Sequence, residues 1–269
     1  MTAKLTVSSV ERAEARLRLG AATLPESFRY VDGDADVVGL VGDGDWVARA
    51  VEAVERGARG VLVVDPEIAD VARLRAALAT HNAVVVLDHG WASSPSVERA
   101  ADDFARLAEP TALIESRIDA PVGADVARVL SRHVALIRAA VAPIASLRLL
   151  RADAAGYDVL GEVEGGADLV LSGVFTDALP ESARVRIVRH HATVVLEMGA
   201  IDVAAPGRVR ILDATSDVAP LTPFETPHRC AWRRLHAVVV GGAVVNELDG
   251  FDEDSALVRA ALESASVSA

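Results

Sequence analysis

Cysteine is almost absent from this chain: Cys230 is the only one in 269 residues. That excludes an internal disulfide framework and a multi-cysteine zinc site. Aromatic residues are also scarce, at 4% against 51% hydrophobic overall. The core must therefore be built from Ala, Val, Leu and Ile, as in helix-on-sheet folds. Cationic charge falls short too, with 27 Lys and Arg against 39 Asp and Glu, a net of −12. Such a chain lacks the basic footprint that nucleic-acid phosphates require, so no nucleic-acid partner is expected. No 18-residue apolar run occurs. The longest candidate, residues 59–87, is broken by Asp65, Glu67, Asp70 and Arg73, so no membrane span is expected. The first 20 residues contain no apolar signal core, which makes the cytoplasm the expected location. No Gly-x-Ser-x-Gly elbow, Walker loop or His-Glu-x-x-His stretch is found. His228, Cys230 and His236 contain no i,i+4 ligand pair, and His190 and His191 adjoin in a strand and should face opposite sides. No metal is expected.

What the chain does contain is alternation. Residues 36–42, 60–65 and 83–88 are short β-branched runs. Residues 45–56, 67–80 and 96–107 between and after them carry apolar residues at helical spacing. This reads as βαβ units around a parallel sheet, with ligands expected at the carboxyl ends of the strands. The pattern then changes. Residues 122–141 form a longer amphipathic helix. Strand-like runs follow at 147–151, 157–162, 167–173, 184–189, 193–198 and 208–212, most of them alternating apolar and polar. That is the mark of an antiparallel sheet with one wet face. Two helices, 225–240 and 253–264, close the chain. The expected fold is α/β: a shortened Rossmann-like parallel sheet over residues 1–110, then an α+β domain with an open antiparallel sheet over 111–269. The closing helices are expected to pack back on the first domain.

Gly42-Asp43-Gly44-Asp45-Trp46-Val47 follows a strand and opens a helix, and Asp65 ends the next strand. Read as a dinucleotide fingerprint, Gly42 and Gly44 would let a pyrophosphate approach and Asp65 would take a ribose hydroxyl pair. Read as an ordinary strand-to-helix turn, Asp45 is an N-cap. Val47 at the third glycine position favours the turn. So do the negative charges of Asp43 and Asp45 where a diphosphate would dock.

Residues 35–78, in which Gly57 ends a helix and Val64-Asp65-Pro66 ends a strand, resemble the middle of the glucose–fructose oxidoreductase / inositol dehydrogenase (Gfo/Idh/MocA) family. Residues 132–152 resemble the family segment in which a histidine opens a helix before the interface sheet. The order of elements is similar from about residue 35 to the end. The resemblance implies NAD(P) in an N-terminal Rossmann domain, a sugar or polyol-like substrate, and a homo-oligomer formed through the antiparallel sheet. The chain departs from the family in three places. About 34 residues precede the matched segment, which reads as an incomplete first unit with no glycine loop after Leu5–Val7. Asp65 stands where the family has its catalytic lysine. Val129 stands where the acidic partner of His133 belongs.

The residues left to carry chemistry are His133 and Asp65 as catalytic groups, with Asp88, His89 and Trp91 as a substrate pocket at the end of the third strand. Three functions stay open. The chain is a divergent NAD(P)-dependent oxidoreductase, a non-catalytic binding or scaffold subunit without cofactor, or a lyase or hydrolase using Asp65, Asp88 or His89.

Overall fold

A computed structural model of the chain describes residues 4–9, 14–221, 223–242 and 247–266. The chain divides into two compact units. Unit 1 comprises Met1–Gly90 and Pro227–Asp252, and unit 2 comprises Trp91–Thr226 and Glu253–Ala269.

Unit 1 holds strands β1 (Leu5–Ser9), β2 (Phe28–Tyr30), β3 (Val37–Val41), β4 (Gly60–Val64) and β5 (Val84–Asp88). All pairings among them are parallel, in the order β2-β1-β3-β4-β5. The order reverses between β1 and β3, as in doubly wound sheets. Both faces are apolar, which is why the strands read as continuous hydrophobic runs. Val38, Leu40, Val61, Val63, Val85 and Leu87 pack with helix α2 (Trp46–Glu55) and helix α3 (Ala72–His81). Val37, Leu62, Val64 and Val86 pack with helix α1 (Glu14–Ala22) and with Trp232 and Leu235 of helix α6 (Pro227–Gly241).

Two expectations are corrected in unit 1. The first 35 residues were read as an incomplete unit, yet they supply β1, α1 and β2. The saving against a six-stranded dinucleotide sheet lies instead between β2 and β3. Residues 31–36 join those strands with no helix, and Asp36 holds the link by accepting from the Thr6 amide at 2.7 Å and hydroxyl at 2.6 Å. These bonds lower the Asp36 pKa. The third helix starts at Ala72, not at residue 67. Pro66 and Glu67 are drawn instead onto the Gly42 turn, where the Glu67 amide donates to the Gly42 carbonyl at 2.7 Å.

Unit 2 opens with helix α4 (Pro95–Leu107), strand β6 (Leu113–Ala120) and helix α5 (Val126–Ala140). Ser94 and Asp125 cap these helices. Then come β7 (Ile144–Asp153), β8 (Gly156–Val163), β9 (Asp168–Phe175), β10 (Ser182–Val188), β11 (Ala192–Met198), β12 (Arg208–Asp213) and β13 (Asp217–Val218). The eight-stranded sheet runs β13-β12-β11-β10-β6-β9-β8-β7. It is antiparallel except for the central β6–β9 pair. In β10, Ala183, Val185 and Ile187 are buried while Arg184 and Arg186 reach Glu197 and Glu115 on the outer face. Residue 110, expected as the boundary, lies inside this unit, because α4 is counted with the sheet it packs on. The last helix, α7 (Glu247–Ser266), begins in unit 1 and ends in unit 2.

Candidate functional site

The carboxyl ends of the parallel strands are the place where sheets of this kind bind ligands. At the end of β3 the glycine turn is folded onto its own neighbour. The Gly42 amide donates to the Val64 carbonyl at 2.7 Å, and the Gly44 amide to the Glu67 carboxylate at 3.1 Å. The Trp46 indole donates to the Glu67 carbonyl at 2.9 Å. A Cβ on Gly42 would lie 2.2 Å from the Pro66 Cα, so the missing side chain makes room for Pro66. Gly44 has φ +52, the left-handed conformation glycine adopts without strain. Arg49 bonds both the carbonyl and the carboxylate of Asp43, and Asp45 accepts from the Ala48 amide at 3.3 Å as the α2 N-cap.

Asp65 and Asp88 end adjacent strands. The Asp65 amide donates to the Asp88 carbonyl at 2.8 Å. Asp65 also has φ 55, a left-handed conformation that costs a non-glycine residue free energy. The Asp88 carboxylate is fully buried. One of its oxygens accepts from the Gly90 amide at 3.1 Å, and the other lies 2.5 Å from His228 Nδ1. His228 comes from the first turn of α6, and its side chain is 12% exposed.

Beside this pair, the outer edge of β5 is closed by side chains. Glu247 accepts from the Leu87 amide at 2.6 Å, while Arg234 donates to the Leu87 carbonyl at 3.0 Å and pairs with Glu247. Burial raises the Glu247 pKa against the pull of Arg234. The His89 ring sits 5.9 Å from that of Phe251.

The other candidates belong to unit 2. Trp91 is buried, and its indole donates to the Gly199 carbonyl at 2.8 Å. His133 is fully buried between α5 and the sheet. Its Nε2 lies 2.7 Å from the Ser116 hydroxyl and its Nδ1 2.8 Å from the Tyr157 hydroxyl. Ser116 donates its own proton to the Arg184 carbonyl at 2.9 Å, so it must accept from His133 Nε2–H. Nδ1 then accepts from Tyr157. Burial pushes the His133 pKa down to about 3 and the Tyr157 pKa up, so both groups stay neutral. Gly173 makes the space, since a Cβ there would meet the Tyr157 ring at 2.2 Å.

Asp65, Asp88 and His89 thus lie together in unit 1, while Trp91 and His133 lie in unit 2. His190 and His191 sit in the β10–β11 turn, not in a strand, and their rings meet edge to face at 4.4 Å. The turn removes the strand alternation that would have pointed them apart. Among the described residues no group of three or more His, Cys, Asp or Glu could hold a metal ion. No described helix is long and apolar enough to cross a membrane. Two groupings escaped sequence reasoning. His228 lies 140 residues from Asp88, and Tyr157 lies 24 from His133. No local spacing signals either.

No family model matches the chain, and no curated protein matches it. Solved structures do. UDP-N-acetylglucosamine 3-dehydrogenase from Acidithiobacillus ferrooxidans superposes with TM-score 0.76 at 13% identity, over 97% of this chain and 98% of the other. An oxidoreductase from Sinorhizobium meliloti gives 0.77 at 13%, over 99% of each chain. An inositol dehydrogenase homologue from Azotobacter vinelandii, complexed with NADH and myo-inositol, gives 0.72 at 14%, over 98% and 96%. At these identities the likeness is one of architecture: the chain has the Gfo/Idh/MocA-type fold, a Rossmann-like parallel sheet followed by an α+β unit.

Proposed function

We propose that this protein is an oxidoreductase-fold binding protein, taking a sugar- or polyol-like molecule without NAD(P) and without hydride transfer. The observation that carries this reading is the sequence of the first βα turn, residues 10–13 between β1 and α1, which is Val-Glu-Arg-Ala and has no glycine; the turn at Gly42–Trp46, after β3, is closed as well. A pyrophosphate needs open backbone N–H groups and room for the chain to approach. Here the Gly42 and Gly44 amides are spent on Val64 and Glu67, and Pro66 occupies the space over Gly42. The carboxylates of Asp43 and Asp45 add charge of the wrong sign. These residues do not fit a dinucleotide.

Two further features support the reading. Asp65 provides a carboxylate where hydride transfer in the resembled family uses a lysine cation. His133 has both ring nitrogens committed inside unit 2 and a pKa near 3, which is unsuited to a general base at neutral pH. The ligand class is supported by the neighbours whose names include a sugar nucleotide and an inositol. The outer face of the antiparallel sheet, with its Arg184–Glu197 and Arg186–Glu115 pairs, is the surface we assign to self-association in the cytoplasm.

The test is a titration of the full chain with NADH and NADPH, read by Trp46 fluorescence and thermal melting. No saturable quenching and a melting shift under about 1 °C are expected, because a ligand that does not bind adds nothing to stability. Saturable binding of either dinucleotide, or turnover of a polyol with NAD(P)+, would overturn the proposal.

A further inference from the structure

We infer that His190 and His191 form a chelating site for a divalent transition-metal cation, Cu2+ before Zn2+ or Ni2+, at the turn between β10 and β11. The inference is independent of the ligand class proposed above. Val188 pairs with Thr193, and the Arg189 amide donates to the Ala192 carbonyl at 2.9 Å, so the two histidines alone reverse the chain. Turns this tight usually carry Asn-Gly or another glycine pair, with positive φ at one or both positions. Among the described residues the non-glycine residues with positive φ are Asp65 and Asn82, so neither histidine adopts that geometry. Strand alternation does not apply here, and the two rings come together with centroids 4.4 Å apart.

His191 Nδ1 lies 3.2 Å from His190 Nε2 and 3.4 Å from His190 Nδ1. Two imidazole nitrogens bound to one metal at about 2.0–2.1 Å stand about 2.9–3.4 Å apart, for bond angles between square and tetrahedral. The separation already present is therefore that of a chelate. Both side chains are exposed, so their rings can turn at little cost to aim the lone pairs at one ion. Among the described residues neither ring bonds any group but the other, so no further hydrogen bond has to break. The neighbouring cation is offset, since Arg189 is 13% exposed and pairs with Glu109 at 2.6 Å. No third His, Cys, Asp or Glu joins the pair among the described residues. The site is thus an open one, with water in the remaining positions of the ion. Imidazole suits Cu2+, Zn2+ and Ni2+, and among divalent ions Cu2+ binds nitrogen ligands most tightly. Mg2+ and Ca2+ require oxygen ligands and do not fit.

The test titrates the full chain with Cu2+, added as its sulfate in a buffer that does not bind the metal, and reads calorimetry and electron paramagnetic resonance. The tightest site should take one ion per chain and show nitrogen hyperfine splitting from two imidazoles. Joining two ligands on one scaffold raises affinity by about 10² to 10⁴, so His190→Ala and His191→Ala should each weaken this site by about tenfold or more. His81→Ala, which removes an exposed histidine at the end of α3, should leave it unchanged. The double variant His190→Asn, His191→Gly installs the pair that two-residue turns prefer. It should lose the ion and melt at or above the wild-type temperature, which separates loss of the ligands from loss of the fold. Zn2+ should bind the same pair more weakly than Cu2+, and Mg2+ should not compete. The inference falls if Cu2+ binding survives either single alanine variant unchanged, if the spectrum shows one imidazole or none, or if His81→Ala removes the ion.

Discussion

His133 should make the protein acid-labile in a calculable way. The unfolded chain takes up a proton on this histidine near its ordinary pKa of 6.5, whereas the folded chain resists until about pH 3. Between those values the unfolded state binds more protons, so acid favours unfolding. The contribution of the neutral, buried ring is complete above pH 6.5 and is lost progressively as the pH falls toward 3. Each pH unit costs about 1.4 kcal/mol, so about 2 kcal/mol is gone by pH 5. Surface carboxylates also titrate there, and His133→Gln isolates the histidine from them. Glutamine offers an amide to Ser116 and Tyr157 but does not titrate. At pH 7 the variant should be less stable by about 1–3 kcal/mol, for imperfect bonds in a sealed site. At pH 5 the gap should shrink by about 2 kcal/mol, because only the wild type pays for protonation. Urea unfolding at both pH values, with unchanged m, measures this. A gap that is the same at pH 7 and pH 5 would refute the neutral, enclosed histidine.

Gly42→Ala should lower the urea midpoint by the equivalent of about 1–3 kcal/mol, the usual cost of overpacking, because its Cβ would lie 2.2 Å from backbone at Pro66. A neutral effect there would mean that the turn is not packed as described. Asp65→Gly should stabilise the chain by up to about 1 kcal/mol in a thermal melt, relieving φ 55; a loss of stability would show that the aspartate side chain is anchored. Glu247→Ala should cost about 1–3 kcal/mol and speed hydrogen exchange at the Leu87 amide, whose acceptor it removes. An unchanged Leu87 exchange rate would rule out that cap.

Much of the architecture was legible because unit 1 writes its sheet in plain periodicity. Val37, Gly60 and Val84 begin strands that are apolar on both faces, and glycine ends the intervening helix at Gly57. The missed elements have physical reasons. β2 is three residues long, and α1 repeats Arg-Leu-Arg-Leu with no clear apolar stripe. β6 alternates correctly, but Glu115, Ser116, Arg117 and Asp119 disguise it. Ser116 occupies an inward position because it bonds His133, so the chemistry that hid the strand is the chemistry that matters there. The candidate site was half legible. Asp65, Asp88 and His89 follow from strand ends. His228 could not be found that way, since α6 returns to the first sheet only after the whole of the second has been laid down.

The parallel pairing of β6 with β9 has a consequence for how the chain assembles. β6 lies at the middle of its sheet, yet both of its neighbours are made later, β9 ending at Phe175 and β10 at Val188. On the ribosome, at about 5–20 residues per second, β6 waits for several seconds with both edges bare. The local β7–β8 hairpin can form meanwhile, since its partners are adjacent in sequence. The nascent unit 2 is therefore most open to strand capture by other chains while its central strand is already complete, and synthesis speed through residues 121–188 should govern how much of it aggregates.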